Sequence, residues 1–98
     1  MLENKFKTKL IKEIHELLPG SMVMHLDPTE IQGIPDLIVL YEDKWGALEG
    51  KKDAKASHRP NQDYYVDKMN KMSFAAFISP ENKEEVLHEL QQSLQTRR

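Results

Sequence analysis

The sequence predicts an α/β fold, in which a mixed sheet of about four strands is flanked by helices and the elements run α-β-β-β-α-β-α. Three observations predict it. Apolar residues at helical spacing occur near both ends and once in between, short β-prone apolar runs separate them, and Pro or Gly stands at most boundaries. The 98 residues suffice for one domain and contain no internal repeat or linker.

The first segment has the spacing of an amphipathic helix, and Pro19-Gly20 ends it. Its apolar residues are Leu2, Phe6, Leu10, Ile11, Ile14, Leu17 and Leu18. At about 100° per residue these side chains centre on one face, and Glu3 falls almost on the bearing of Leu10 within that face. An acid at this position either frays out at the helix start or points inward at a partner.

Three β-prone segments follow. Residues 21–26 predict a short strand, which turn-forming residues separate from the strongly β-prone run 36–41. Residues 42–44 predict a tight turn, after which 45–51 returns as a strand. This order predicts a β-hairpin.

The second half supplies a helix, a strand and a last helix after a polar, basic loop at 52–60. Pro60 suits a first helical position. The inner face of the helix that follows would carry Gln62, Tyr65, Val66, Met69 and Met72. Residues 74–78 predict a strand, and Ser79-Pro80 predicts the next helix start, with the Ser79 hydroxyl as its cap. That helix would bury Val86, Leu87, Leu90 and Leu94.

Composition and charge narrow the class of protein. Apolar residues make up 39% and charged residues 31%, which is typical of a globular protein, and no run of about 18 apolar residues predicts a membrane span. The absence of cysteine excludes disulfides and thiolate metal sites and fits a reducing cytoplasm. The net charge of −2 argues against a general nucleic-acid binder. However, the acidic stretch 13–50 lies between two basic runs, 1–12 and 51–60. This pattern is either ordinary surface charge or an acidic metal site with phosphate-binding edges.

Two acids and a lysine in the hairpin form the most informative group. Side chains alternate along a strand, so Glu49 and Lys51 project from the same face. A two-residue turn at 43–44 would place Asp36 opposite Lys51 and one diagonal step from Glu49. A slip by one residue would separate Asp36 from the other two.

Two carboxylates and an ammonium on one face suit phosphodiester chemistry with a hard cation such as Mg²⁺. The Glu-x-Lys tripeptide is weak by itself, because this chain contains it four times. Only Glu49-Gly50-Lys51 lies in a predicted strand, next to a strand that opens with Pro35-Asp36. The alternatives are a turn at Asp36 and a surface ion pair between Glu49 and Lys51.

The combined motifs resemble the PD-(D/E)XK nuclease superfamily. The motifs are Gly33-Ile34-Pro35-Asp36, the apolar run 37–40, Glu49-x-Lys51 and Gln62-x-x-Tyr65. More closely, the chain resembles the small stand-alone VRR-NUC nucleases common in bacteriophages. The resemblance covers nearly the whole chain and implies a restriction-endonuclease-like core, with residues 1–98 as a single VRR-NUC-like domain.

The resemblance implies the roles of the hairpin residues. Asp36 and Glu49 would hold the divalent ion together with the backbone carbonyl of Gly50. Lys51 would be the catalytic lysine. The sequence departs from the family pattern at Gly50, where such enzymes usually carry an apolar residue.

The two helices would complete the catalytic group. Gln62 and Tyr65 match the helix motif that supports such a site. An acid in the first helix often completes it, and Glu3 fits that pattern best, with Glu13 as the alternative. Exposure at a frayed end remains the other reading of Glu3, and an ordinary helix start that of Gln62.

The implied function is a Mg²⁺-dependent DNA endonuclease, with Mn²⁺ as a substitute, in the cytoplasm of a bacterial cell or a phage-infected host. By family analogy it would act on branched DNA such as four-way (Holliday) junctions, as a homodimer with two symmetric active sites. Phosphate-gripping residues would be Lys52, Lys55, His58 and Arg59, which could instead be a solvated loop. The alternatives are a flap, nicking or degradative nuclease, or a catalytically silent DNA-binding or assembly module.

Overall fold

The computed structural model describes residues 4–95, and within this range the helices and strands follow in the predicted order. They are α1 (Asn4–Leu17), β1 (Met22–His25), β2 (Leu37–Tyr41), β3 (Lys44–Gly50), α2 (Pro60–Met72), β4 (Phe74–Ile78) and α3 (Lys83–Gln95). The predicted α/β class and element order are therefore confirmed. None of the helices in the described range is long and apolar enough to cross a membrane.

The four strands form one mixed sheet in the order β1-β2-β3-β4. The pairs β1–β2 and β2–β3 are antiparallel, whereas β3 and β4 are parallel. A parallel neighbour needs a crossover connection, which α2 provides between β3 and β4. This crossover brings the start of α2 back over the end of β3.

The helices cover both faces of the sheet. On one face, α1 and α3 pack against the sheet in a continuous apolar core. Its buried residues are Leu10, Ile14, Leu18, Leu37, Val39, Leu48, Ile78, Val86, Leu87, Leu90 and Leu94. On the other face, Val66 of α2 packs on Ala47 and Ala75 in a smaller cluster. The strands of the sheet are thus fixed from both sides near the end of β3.

The turn of the hairpin lies one residue earlier than the sequence predicts. Tyr41 pairs with Lys44, so the turn residues are Glu42 and Asp43, and Glu42 adopts a positive φ of 56°. The predicted two-residue turn at 43–44, and the pairing of Asp36 with Lys51 that it implied, are therefore wrong. No glycine or asparagine stands at the turn to mark the left-handed position, so the sequence leaves the turn's place ambiguous. Moving the turn by one residue shifts the pairing by two, which leaves every side chain on its predicted face.

The last helix starts at Lys83 rather than at Pro80. Residues 79–82 form a turn instead, in which Asn82 Oδ1 accepts hydrogen bonds from the Ser79 N–H (2.7 Å) and hydroxyl (3.3 Å). The Asn82 carbonyl accepts the first helical bond, from the Val86 N–H at 2.9 Å. Asn82 therefore stands at the N-cap position, which favours asparagine, and the expectation that Ser79 caps the helix is wrong.

The segment between β1 and β2 is held firmly against α2. Gly33 has a φ of +91°, and a Cβ atom added there would lie 2.4 Å from Asn61 Cβ and 2.9 Å from the Asn61 carbonyl oxygen. The two ends of this segment are joined by a hydrogen bond from the Leu26 N–H to the Asp36 carbonyl at 2.8 Å, which extends the β1–β2 pairing. Gly33 therefore allows the chain to pass close to α2 just before Asp36.

We expect Gly33→Ala to lower the free energy of unfolding by at least about 2 kcal/mol more than Gly20→Ala, measured by urea denaturation. Gly20 is a matched control, because its φ of +89° is nearly the same but no atom lies within 4 Å of an added Cβ. Gly20→Ala should cost about 1 kcal/mol of backbone strain alone. Equal losses in the two variants would show that the contact with Asn61 does not constrain the loop.

Candidate active site

The candidate site lies at the end of β3, on the face of the sheet that α2 covers. Side-chain alternation puts Glu49 and Lys51 on the same face as Ala47, which packs against α2. Leu37 pairs with Leu48, so the register continued by one residue sets Asp36 directly opposite Glu49. The predicted diagonal step between the two acids is therefore wrong, because the turn is displaced, but the shared face is the predicted one.

Asp36 and Glu49 are tied together across the hairpin. Asp36 Oδ2 accepts a hydrogen bond from the Gly50 N–H at 3.2 Å. The two acids face each other in the register of the hairpin. Asp36 is thus anchored on the backbone of the strand that carries Glu49, and the two carboxylates lie close enough for the charge of Asp36 to raise the pKa of Glu49.

The Glu49 carboxyl is buried, with 6% of the residue exposed. Burial and, to a lesser extent, the neighbouring negative charge of Asp36 together raise its pKa to about 7, although the positive charge of Lys51 opposes the shift. The charged form of Glu49 is therefore costly unless a cation lies nearby. Two carboxylates in this state fit a hard divalent cation, which prefers oxygen donors.

Gln62 links the lysine to the glutamate. Its Oε1 accepts hydrogen bonds from Lys51 Nζ at 2.7 Å and from the Arg59 N–H at 3.1 Å. Two donors on Oε1 fix the orientation of the amide, so Nε2 faces Glu49 and donates to its Oε2 at 3.2 Å. Lys51 Nζ also donates to the Ser57 carbonyl at 3.1 Å. The ammonium is thus held at a fixed place beside the buried carboxylate.

The same Gln62 side chain caps the helix that carries it. Pro60 begins α2, and Gln62 Oε1 satisfies the Arg59 N–H at the helix start. The two interpretations of Gln62, as a helix-start residue and as a site residue, are therefore compatible.

A cleft of about 470 Å³ opens over the two carboxylates. Its lining comprises Asp36 and Glu49 from the sheet, Arg59, Asn61 and Gln62 from the start of α2, and Pro28, Thr29, Gln32, Gly33 and Ile34 from the loop before β2. A smaller hollow of about 190 Å³ is lined in part by Lys51, His58 and Phe77.

The sequence analysis missed this loop wall and Asn61. Thr29 is held in a local turn, since Asp27 Oδ1 accepts from both its N–H (2.9 Å) and its hydroxyl (2.7 Å). The glycine of Gly33-Ile34-Pro35 is the one signal that could have indicated a close approach here. The type and spacing of Asn61 carry no such signal.

The first helix contributes no third acid among the described residues. In the range 4–95, no three His, Asp or Glu side chains converge as metal ligands. Glu13 instead forms an ion pair with Lys83 of α3 at 2.8 Å. Glu3, the preferred candidate, lies outside the described residues.

The remaining predicted residues lie in different surroundings. The Tyr65 ring meets Tyr64 edge to face, with ring centres 4.9 Å apart. Exposed positions are occupied by Lys52 and Lys55 in the loop after β3 and by Arg59 at the rim of the cleft. His58 is exposed as well, but its ring stacks on Phe77, and both residues line the smaller hollow.

We expect the stability of the metal-free protein to fall as the pH rises from about 4.5 to about 7. The native state keeps the Glu49 proton up to its raised pKa of about 7, whereas the unfolded chain releases it near 4.5, so folding binds a proton in this window. In the parent, the free energy of unfolding should fall by on the order of 1–2 kcal/mol across this window, measured by urea denaturation with EDTA. Glu49→Gln should remove this fall. Glu85→Gln, at an exposed position of α3, is the control. An unchanged pH slope in Glu49→Gln would contradict the raised pKa.

No protein-family model matches the sequence, and no curated protein matches it significantly. Among solved structures, the chain is similar to Hjc, a Holliday junction resolvase from the archaeal hyperthermophile Archaeoglobus fulgidus. The TM-score is 0.52 at 13% sequence identity, and the match covers 79% of this chain and 68% of the resolvase. The likeness confirms the predicted α/β core and element order, which this chain shares with the resolvase.

Proposed function

We propose that this protein is a divalent-metal-dependent DNA endonuclease that cuts branched DNA such as four-way junctions. The observation that carries the proposal is the hydrogen-bonded chain Lys51–Gln62–Glu49, with Asp36 opposite Glu49. The similarity in fold to a protein described as a Holliday junction resolvase supports the choice of substrate. We further propose a single VRR-NUC-like domain from a bacterial cell or a phage-infected host, acting in the cytoplasm.

The residues that would hold the divalent ion are Asp36, Glu49 and the backbone carbonyl of Gly50. Mg²⁺ fits this oxygen donor set, with Mn²⁺ as a substitute. When bound, the ion supplies Lewis-acid polarisation of the phosphodiester. The raised pKa of Glu49 supports the assignment, because a group that needs a nearby cation is typical of such a position.

Lys51 and Gln62 act directly in the proposed reaction. An ammonium has three N–H donors, and the two hydrogen bonds of Lys51 to Ser57 and Gln62 leave one for a phosphoryl oxygen. In that position the positive charge stabilises the negative charge that develops during hydrolysis. Gln62 fixes both the ammonium and the Glu49 carboxylate, so neither group has to reorganise when the substrate arrives.

The basic residues beside the site are proposed to hold the DNA backbone. Lys52 and Lys55 are exposed on the loop that follows β3, and Arg59 lines the cleft itself. Since these cations flank an acidic pair, we expect DNA to bind weakly without the divalent ion and more strongly with it.

We propose a homodimer, since paired nicks on a symmetric junction suit two symmetric sites. The edge strand β1 supports self-association, because Met22 and Met24 are 57% and 42% exposed on one face of it. Sedimentation equilibrium would measure the association.

We expect Lys51→Ala to lower kcat on a four-way junction by about 100-fold or more in Mg²⁺, with little change in junction affinity. EDTA should abolish cleavage by the parent, and Mn²⁺ should support it. Lys71→Ala is the matched control, because Lys71 pairs with Asp67 on the exposed side of α2. Metal-independent cleavage, or a Lys51→Ala variant as active as the parent, would refute the assignment.

A substrate panel separates the related activities. Cleavage rates on a junction, a flap, a linear duplex and a single strand should be highest on the junction. Preference for the flap or the linear duplex would identify a flap or degradative nuclease instead. Binding without cleavage of any of the four, in Mg²⁺ and in Mn²⁺, would identify a catalytically silent module.

We expect Lys52→Ala and Lys55→Ala each to weaken junction binding and to reduce the slope of log K against log salt by about 1. The value of kcat should stay within a few-fold of the parent, because neither side chain bonds to Gln62 or Glu49 in the described part of the chain. Binding titrations between low and moderate salt measure the slope. An unchanged slope in both variants would make the loop an ordinary solvated surface.

A further inference from the structure

His58 is held by contacts to two different elements. Its ring stacks on Phe77 of β4, with ring centres 3.9 Å apart and an interplanar angle of 21°. Its Nδ1 lies 3.0 Å from Asp63 Oδ1 on the first turn of α2. His58 lies at an exposed position, but only 31% of its side chain is exposed because the imidazole packs against Phe77.

These contacts lie next to the group that holds the lysine. Ser57, which precedes His58, supplies the carbonyl that accepts from Lys51 Nζ at 3.1 Å. Phe77 pairs with Glu49 across the parallel strands, and Lys51 Nζ lies 5.8 Å from the centre of the Phe77 ring. The ring on which His58 stacks is therefore also a neighbour of the ammonium.

We propose that His58 is a positioning residue, which pins the end of the loop 51–59 to β4 and α2 so that Ser57 and Gln62 hold Lys51 in place. The Ser57 carbonyl lies 3.1 Å from the ammonium and directly precedes residue 58, so fixing the backbone at residue 58 keeps this carbonyl in place. The polar contact with Asp63 fixes the direction in which Nδ1 of the imidazole points, and stacking on Phe77 fixes the plane of the ring. The expected effect on the rate rests on the proposed nuclease function. The contacts of His58 do not depend on that function.

The structure argues against a direct role of His58 on DNA phosphates. The side chain lines the smaller hollow rather than the cleft over Asp36 and Glu49. Its Nδ1 faces Asp63, whose negative charge would repel a phosphate. All four phosphate-binding candidates of the sequence are exposed, and His58 differs from the other three in its ring contact with Phe77 and its polar contact with Asp63.

A double-mutant cycle distinguishes positioning from DNA contact. His58→Ala should lower kcat about 10-fold or more with less than a threefold change in KM, because a small displacement of a catalytic group is costly. In a Lys51→Ala background, His58→Ala should cause no further loss, since its effect passes through the lysine. An independent loss in that background, or a change confined to KM, would overturn the proposal in favour of a DNA contact.

Conservative variants test the two contacts separately. His58→Phe keeps the ring on Phe77 and should recover part of the lost kcat. Asp63→Asn weakens the polar contact and should lower kcat, whereas Asp67→Asn on the exposed side of the same helix should not. His88→Ala, at an exposed position of α3, is the control for loss of a histidine. Equal effects of Asp63→Asn and Asp67→Asn would contradict a role for the Asp63 contact.

A measurement without DNA separates this inference from the proposed function. The ¹³Cε–¹Hε resonance of Lys51, assigned with Lys51→Arg, reports directly on the surroundings of the ammonium. It should move towards the position of an unrestrained lysine in His58→Ala and stay in place in His88→Ala. A resonance that does not move in His58→Ala overturns the proposal whether or not the protein cuts DNA. A resonance that moves in a protein with no cleavage activity refutes the nuclease function alone.

Discussion

The arrangement of the candidate site depends on one unfavourable burial: the carboxylate of Glu49 at the end of β3. Without neighbours of opposite charge, a carboxylate placed there and close to a second one favours its protonated form. The local structure supplies an amide from α2, which donates to this carboxylate, and a nearby ammonium. Pro60 and the capping interaction of Gln62 start the crossover helix at the place where its first turn delivers that amide.

Gln62 couples the formation of α2 to the assembly of the candidate site. Its carbonyl oxygen completes the first turn of α2 and orients Lys51 at the same time. Local unfolding of the first helical turn would therefore release the lysine and leave Glu49 without its amide partner. Stability at this helix end and competence of the site cannot vary independently.

The sequence predicts which side chains of a strand share a face, because side chains alternate along a strand and the apolar ones are buried. The grouping of Asp36, Glu49 and Lys51 on one face follows from this alternation. The turn at Glu42-Asp43 could not be predicted, since no residue there has a strong left-handed preference. The start of α3 was displaced because two good capping residues, Ser79 and Asn82, compete within one turn. Contacts between segments far apart in the chain could not be predicted from the local sequence pattern.

Contacts of that last kind determine the surroundings of Glu13 and His58. Glu13 meets Lys83 across α1 and α3, a pairing over 70 positions that no local pattern encodes. His58 appeared to belong with its basic neighbours because sequence adjacency suggests a shared surface. Its stacking on β4 results from the path of the loop, which depends on the packing of α2 over the sheet.

The close approach of Gly33 to Asn61 also has a consequence for how the cleft can change. Because this contact involves backbone and a Cβ atom, the spacing between the loop wall and α2 does not depend on the longer side chains that line it. Thr29 and Gln32 can therefore be replaced, and the chemical character of the wall altered, at constant width. In the proposed nuclease, substrate preference can therefore diverge while Asp36, Glu49, Lys51 and the gap above them stay the same.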